Sequence, residues 1–123
     1  MRTLLIVAAL AAGAWLAAQE RAARAEERLV AIAFENGDPR DAQALLQTSR
    51  RLNPDHRPDL FEGVIVGRQG DFRRAAALFE RVTKAEPENI EAWGLLASAA
   101  QRVDPARAQQ ARARARELSP PVG

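Results

Sequence analysis

Residues 63–87 read GVIVGRQGDFRRAAALFERVTKAEP, and this stretch decides the fold of the chain. Gly70 can take the positive φ of a tight turn, and Asp71 behind it can cap a following helix. After Asp71, apolar residues recur at spacings of three and four, which is one face of a helix that Pro87 ends. They are Phe72, Ala75, Ala76, Phe79 and Val82. The stretch predicts a helix hairpin whose apolar surface the hairpin cannot bury alone.

The same signals repeat along the chain at a step of 33 residues. The repeat does not depend on the high alanine content, because aspartate and proline keep the step too. The matched sets are Asp38, Asp71 and Asp104; Ala42, Ala75 and Ala108; and Pro54, Pro87 and Pro120. Gly37 and Gly70 follow the same step, whereas Val103 takes the third position. A fixed period of this length predicts a stack of three helix hairpins.

Composition argues against catalysis. The chain of 123 residues has no Cys and no Tyr, and its one His, His56, falls in a polar turn. No glycine-rich phosphate loop, zinc-binding helix motif or nucleophile elbow is present. The net charge of +2 does not favour nucleic acid as a partner. We therefore expect a non-catalytic protein that uses no cofactor and no metal.

The N-terminal segment, residues 3–18, contains no charged residue. Sixteen helical residues span about 24 Å, somewhat less than the roughly 30 Å of a hydrocarbon core. An uncleaved signal anchor, a cleaved secretory signal and a buried helix are the three interpretations. A helix that is apolar all round needs burial on every side, which disfavours the buried helix. Since no good cleavage site follows the segment, we favour retention.

Retention predicts a single-pass N-terminal anchor over residues 1–19. Counting arginines places the remaining chain in the cytoplasm, because Arg21, Arg24 and Arg28 follow the segment. A short N-terminal anchor more often leaves the following domain outside, and we place the domain on the extracytoplasmic side. The alternative is a periplasmic or secreted protein released by signal cleavage.

Residues 20–121 are predicted to form the repeat domain, with units of about 22–55, 56–88 and 89–121. Asp38, Asn89 and Asp104 are the predicted caps of further helices. The apolar stripe of the last helix, Ala108, Ala111, Ala115 and Leu118, is mostly alanine and buries little surface. We therefore expect the chain to fray from about residue 108.

These units resemble tetratricopeptide repeats over residues 22–121. The middle unit carries the closest resemblance, in Gly63, Gly70-Asp71-Phe72, Ala75, Phe79 and Pro87. The third unit supplies Trp93, Leu96-Ala97, Ala108, Ala115 and Pro120, and the first Gly37-Asp38, Ala42, Leu46 and Pro54. The step of 33 is one residue shorter than the usual 34 of that family. The resemblance implies an all-α, antiparallel helix-hairpin solenoid after an N-terminal transmembrane or signal helix.

The resemblance also implies a concave groove, lined by the first helix of each unit, that binds a peptide or helix of another protein. The expected lining residues are Arg24, Glu27, Arg28, Ala31, Leu60, Phe61, Val64, Arg68, Gly94, Leu95, Ser98 and Arg102. Some of them, above all Leu60 or Phe61 and Leu95, are expected to belong to the core between repeats.

A second hypothesis concerns the arginines near the C-terminus. Five fall within fifteen residues: Arg102, Arg107, Arg112, Arg114 and Arg116. Such a cluster can meet the phosphates of anionic lipid or of nucleic acid. No aromatic residue is interleaved for base stacking, so a solvated helix face is the favoured interpretation.

Overall fold

The computed structural model of the chain describes residues 2–35, 37–52 and 55–121, with side chains from Ile6 onward except that of Pro39. These ranges are helical and contain no strand, which confirms the prediction of an all-α fold. The helices are α1 (Arg2–Phe34), α2 (Ala42–Leu52), α3 (Arg57–Arg68), α4 (Phe72–Ala85), α5 (Ile90–Ala100) and α6 (Pro105–Leu118). A 3₁₀ turn, Pro39–Asp41, precedes α2. The chain divides into two compact units, Met1–Asp55 and His56–Gly123.

The first unit is built on α1, a continuous helix of 33 residues. It passes without a break through residues 19 and 20, where the sequence predicted a change from anchor to repeat domain. Helix α2 packs against the second half of α1. The buried residues of the two helices are Ala22, Ala25, Leu29, Ile32 and Ala33 on α1, and Ala42, Leu46 and Ser49 on α2.

The first half of α1 is exposed from Ile6 to Ala17. No helix within the described residues is both long and apolar enough to cross a membrane, so the structure lends the predicted transmembrane helix no support. The side chains of residues 3–5, with which the predicted span begins, lie outside the described part of the chain.

The turn before α2 differs from the sequence prediction, in which Asp38 caps a helix that starts at Pro39. The Asp38 carboxylate instead accepts hydrogen bonds from the backbone N–H of Arg40 at 3.0 Å and from its Nε at 2.9 Å. Bonding to the Arg40 guanidinium, and then to its backbone N–H, lowers the pKa of Asp38. The carboxylate therefore closes a turn two residues long, and α2 begins after a 3₁₀ turn.

The second unit contains two hairpins with the same spacing. Helices α3 and α5 begin 33 residues apart, and so do α4 and α6. The predicted caps are confirmed: Asp71 accepts the N–H of Arg74, Asn89 that of Ala92, and Asp104 that of Arg107. Gly70 has a φ of 89°, the left-handed conformation that glycine adopts at little cost.

Two ion pairs show that α3 and α4 are antiparallel. Asp59, near the start of α3, lies 3.1 Å from Arg81 near the end of α4. Glu62, in the middle of α3, lies 2.5 Å from Arg74 in the first turn of α4. The side chain of Glu62 is 11% exposed, so this pair closes the side of the hairpin next to its core.

The core of the second unit is rich in alanine. Its buried residues are Val66, Ala75, Leu78, Phe79, Leu96, Ala97, Ala99, Ala100, Ala108 and Ala111. Trp93, which the sequence placed in the core, packs at its edge and is only half-buried. Its Nε1–H donates to the carbonyl oxygen of Pro87 at 2.8 Å. That bond fixes the indole at the turn between the two hairpins.

The last helix does not fray from residue 108 in the structure, contrary to the sequence prediction. Helix α6 is regular to Leu118, and Ala108 and Ala111 are 0% and 1% exposed. Small side chains let α6 approach α5 closely, so its alanines are buried although each contributes little surface. The cap at Asp104 stabilises the start of the same helix.

Candidate functional site

A groove between α3 and α5, closed below by α4, is the candidate functional site of the second unit. It encloses a cavity of about 190 Å³. Pockets for whole small molecules span about 300–1,000 Å³, so this one suits a single side chain of a larger partner. The cavity is lined by Gly63, Val64, Gly67, Arg68, Phe72, Ala75, Phe79, Leu95, Ser98 and Ala99. Eight of these ten residues are apolar or glycine, so the cavity favours an apolar occupant.

Glycines on α3 bring the floor of the groove close to its walls. A Cβ at Gly63 would lie 2.4 Å from Cε1 of Phe79, and one at Gly67 would lie 3.4 Å from Cβ of Ala75. The Phe79 ring therefore rests directly on the α3 backbone and is 3% exposed. A side chain at Gly63 would displace the ring, so the depth of the groove depends on this glycine.

Polar groups lie at one end of the groove. Arg68 is the last residue of α3, and Ser98 lies in the last turn of α5; both are exposed. Arg102 follows α5, and its guanidinium carbon lies 5.2 Å from the centre of the Phe72 ring. Because Phe72 lines the cavity, Arg102 is held beside the apolar groove by a cation–π contact.

The structure brings four of the predicted binding residues together. Val64, Arg68, Leu95 and Ser98 line the cavity, and Arg102 lies next to it through Phe72. Val64 and Leu95 also pack against the core of the unit. They are half-buried, so each serves the core and the groove wall.

The other predicted binding residues lie elsewhere. On α3, Leu60 packs against the core and Phe61 is half-buried, and neither lines the cavity. Gly94 is exposed on α5 outside the cavity lining. The four predicted on α1 belong to the first unit: Arg24, Glu27 and Arg28 are exposed, and Ala31 is half-buried. Arg24 lies 3.3 Å from Glu20 on the same helix.

Sequence reasoning missed the floor of the groove. Ala75 and Phe79 were predicted on the buried face of α4, but that face also forms the base of the cavity. Gly63 and Gly67, four residues apart, indicated a close approach of a neighbour without identifying Phe79 as that neighbour. Nothing in the sequence pattern showed that Phe72 would lie between the cavity and Arg102.

A second cavity of about 310 Å³ lies on α4 where α5 ends and α6 begins. Its charged groups are already paired: Glu80 accepts a hydrogen bond from Arg107 and lies 3.4 Å from Lys84. Asp104 caps α6. It is lined by Arg73, Ala76, Ala77, Glu80, Ala100, Val103, Asp104 and Arg107. Since its acids and bases neutralise each other, this cavity offers a ligand less than the groove does.

Most arginines of the C-terminal cluster bond within the unit. Arg107 donates to Glu80, Arg112 to Gln101 and Arg114 to Glu117. Arg102 stacks on Phe72. These contacts point the guanidinium groups to different neighbours, which favours the interpretation of α6 as a solvated face.

Comparisons of the chain with protein-family models, with curated proteins and with solved structures give no match.

Proposed function

We propose that this protein is a non-catalytic adaptor, tethered to a membrane, that binds a peptide or helix of another protein in the groove between α3 and α5. The observation that carries the proposal is the 190 Å³ cavity with apolar walls and an open, polar end. Grooves of this kind accept an amphipathic helix or an extended segment through one or two apolar anchors. The repeated helix hairpins and the tetratricopeptide resemblance of the sequence support the same function.

The proposed tether is the apolar segment of residues 3–18. Within α1, large apolar side chains stand open to solvent: Ile6, Val7, Leu10, Trp15 and Leu16 are 58–68% exposed. A continuous apolar surface of this kind marks a contact with lipid or with another protein. We propose lipid, because the segment is uncharged all round and Arg2 and Arg21 flank it. We place the hairpins on the extracytoplasmic side.

Site-specific photo-cross-linking tests the groove. A photoreactive amino acid at Ser98, on the groove wall, is compared with one at Gln110, which is exposed on α6. We expect a discrete adduct in cells at Ser98 and none at Gln110. Ser98→Trp should fill the cavity and prevent capture by a probe at Arg68, whereas Gln110→Trp should not. Identical adducts at Ser98 and Gln110, or none at Ser98, would refute the groove as a binding site.

Fractionation tests the tether independently. The full chain is expected to stay with the membrane pellet in alkaline carbonate, and its mass is expected to include residues 1–18. Recovery of the full-length chain in the supernatant would refute the tether. A mature chain that lacks the apolar segment would favour the periplasmic or secreted alternative, in which the same groove operates without an anchor.

A further inference from the structure

We infer that the groove selects partner segments in which an acidic residue lies next to a large apolar side chain, and that Arg102 reads the acid. This inference rests on the proposed function, since it names the chemistry of the partner in the same groove. The occupant is an acidic, amphipathic peptide segment of another protein. Its apolar side chain fills the cavity, and its carboxylate meets the guanidinium of Arg102.

The position of Arg102 carries the first part of the argument. Its guanidinium carbon lies 5.2 Å from the centre of the Phe72 ring, and Phe72 lines the cavity. A guanidinium that stacks on an aromatic face keeps its N–H donors in its own plane, where they can bind a carboxylate in a bidentate fashion. The ring therefore fixes the arginine while leaving its donors available.

The second part is that Arg102 lacks an acidic partner of its own. Within the described residues no carboxylate lies within ion-pair distance of Arg102, whereas Arg74, Arg81 and Arg107 in the same unit each contact one. The side chain is exposed at the open end of the groove. An oriented arginine without an acid, next to an apolar cavity, is complementary to an acid beside an apolar anchor.

The charge of the groove favours the same partner. Arg68 is the one charged residue among those that line the cavity, and Arg102 adds a second positive charge at the same end. Both arginines follow the direction of their helices, Arg68 at the end of α3 and Arg102 just beyond α5. A basic segment would meet like charges there, so the groove discriminates against it.

A displayed library of random twelve-residue peptides, panned against the full chain in detergent, is the probe. We expect enrichment of peptides that carry Asp or Glu within three residues of Leu, Phe, Met or Trp. Binding of a selected peptide is then measured by fluorescence anisotropy. Its affinity should fall about tenfold or more with Arg102→Gln, the loss expected for a hydrogen-bonded charge. Arg116→Gln removes the same charge from the exposed face of α6 and should change affinity less than twofold.

Two further variants separate orientation from charge. Phe72→Leu keeps an apolar side chain at the cavity but removes the ring under Arg102, and should weaken acidic peptides more than peptides in which the acid is amidated. Arg102→Lys keeps the charge without the planar fork and should bind between the wild type and Arg102→Gln. Circular dichroism confirms that each variant remains helical.

The possible results distinguish this inference from the function on which it rests. Apolar peptides enriched without acids and displaced by Ser98→Trp would leave the groove standing and refute the role of Arg102. Equal losses for Arg102→Gln and Arg116→Gln would do the same, because they would show only a general effect of charge. A library that yields no binding peptide would refute both the groove and the acid recognition.

Discussion

Substitution of Gly63 by alanine tests how the groove and the core share one contact. The added Cβ would lie 2.4 Å from Cε1, 2.8 Å from Cζ and 2.9 Å from Cδ1 of Phe79. Carbon atoms pack best at about 3.5–4.0 Å, so the ring would have to retreat by about 1 Å. Phe79 is 3% exposed and cannot turn into solvent. Overpacking of this kind costs about 1–3 kcal/mol of the free energy of unfolding.

The same substitution also improves helix propensity, and a matched glycine measures that gain. Gly94 lies within α5 and has open space around the position of a Cβ. Gly94→Ala should therefore stabilise the unit by up to about 1 kcal/mol. Gly63→Ala carries the same gain and the steric cost, so the two variants should differ by about 1–3 kcal/mol, with Gly63→Ala the less stable.

Urea unfolding of the full chain, followed by far-UV circular dichroism, gives both free energies at constant slope. A second substitution identifies the clash. In the background of Phe79→Leu, which shortens the buried side chain, the cost of Gly63→Ala should shrink, and the double-mutant cycle should show coupling between the two sites. If Gly63→Ala stabilised the chain as much as Gly94→Ala, or if the cycle showed no coupling, the contact between α3 and Phe79 would be refuted.

The turns and caps give further predictions that need only stability or titration measurements. Gly70→Ala forces a Cβ at a φ of 89° and should cost about 1–2 kcal/mol, so an unchanged urea midpoint would contradict that turn. Asp71→Ala and Asp104→Ala each remove a bonded cap and should cost about 0.5–2 kcal/mol, whereas Asn in place of either Asp should cost much less. The carboxyl of Asp38 has a lowered pKa, so its contribution to stability is present above the ordinary pKa of aspartate and is lost as the pH falls through the lowered value. An NMR titration should show that Arg40→Gln returns this pKa toward the ordinary value; no change in the variant would remove Arg40 as the cause.

Much of the fold could be predicted from local signals. The caps Asp71, Asn89 and Asp104 were read from the sequence because capping depends on a few neighbouring residues. The glycine turn at Gly70 was predicted for the same reason. The step of 33 residues predicted the equal spacing of the helix starts, since each repeat imposes the same local geometry.

The first unit was harder to predict because its signals compete. An apolar segment and a charged segment meet near residue 19, and composition indicates a boundary there. The backbone needs no boundary, because alanine, glutamate and arginine on both sides are good helix formers. Helix α1 therefore continues from Arg2 to Phe34. At Asp38, a nearby arginine competes with the helix N-terminus for the carboxylate, and its effect is not visible in the capping pattern.

The binding residues were predicted in part because their periodicity reveals a helix face but not the depth of a cavity. Val64, Leu95 and Ser98 were found from their positions on the first helix of each hairpin. The floor depends on which ring fills the space that Gly63 leaves, and that is a tertiary contact. The stacking of Arg102 on Phe72 likewise joins the ends of two helices across the unit.

The docking of α6 shows why an alanine-rich stripe can close a hairpin. Large side chains contribute more free energy on burial, which led the sequence analysis to expect fraying. Alanine instead permits close approach, and Ala108 and Ala111 meet a neighbouring helix whose buried face includes Ala97 and Ala100. Close contact between small residues recovers dispersion energy without the loss of side-chain entropy that larger residues incur. The helix therefore depends on shape rather than bulk, and enlarging Ala108 should destabilise the unit more than shortening Leu118, which is only half-buried.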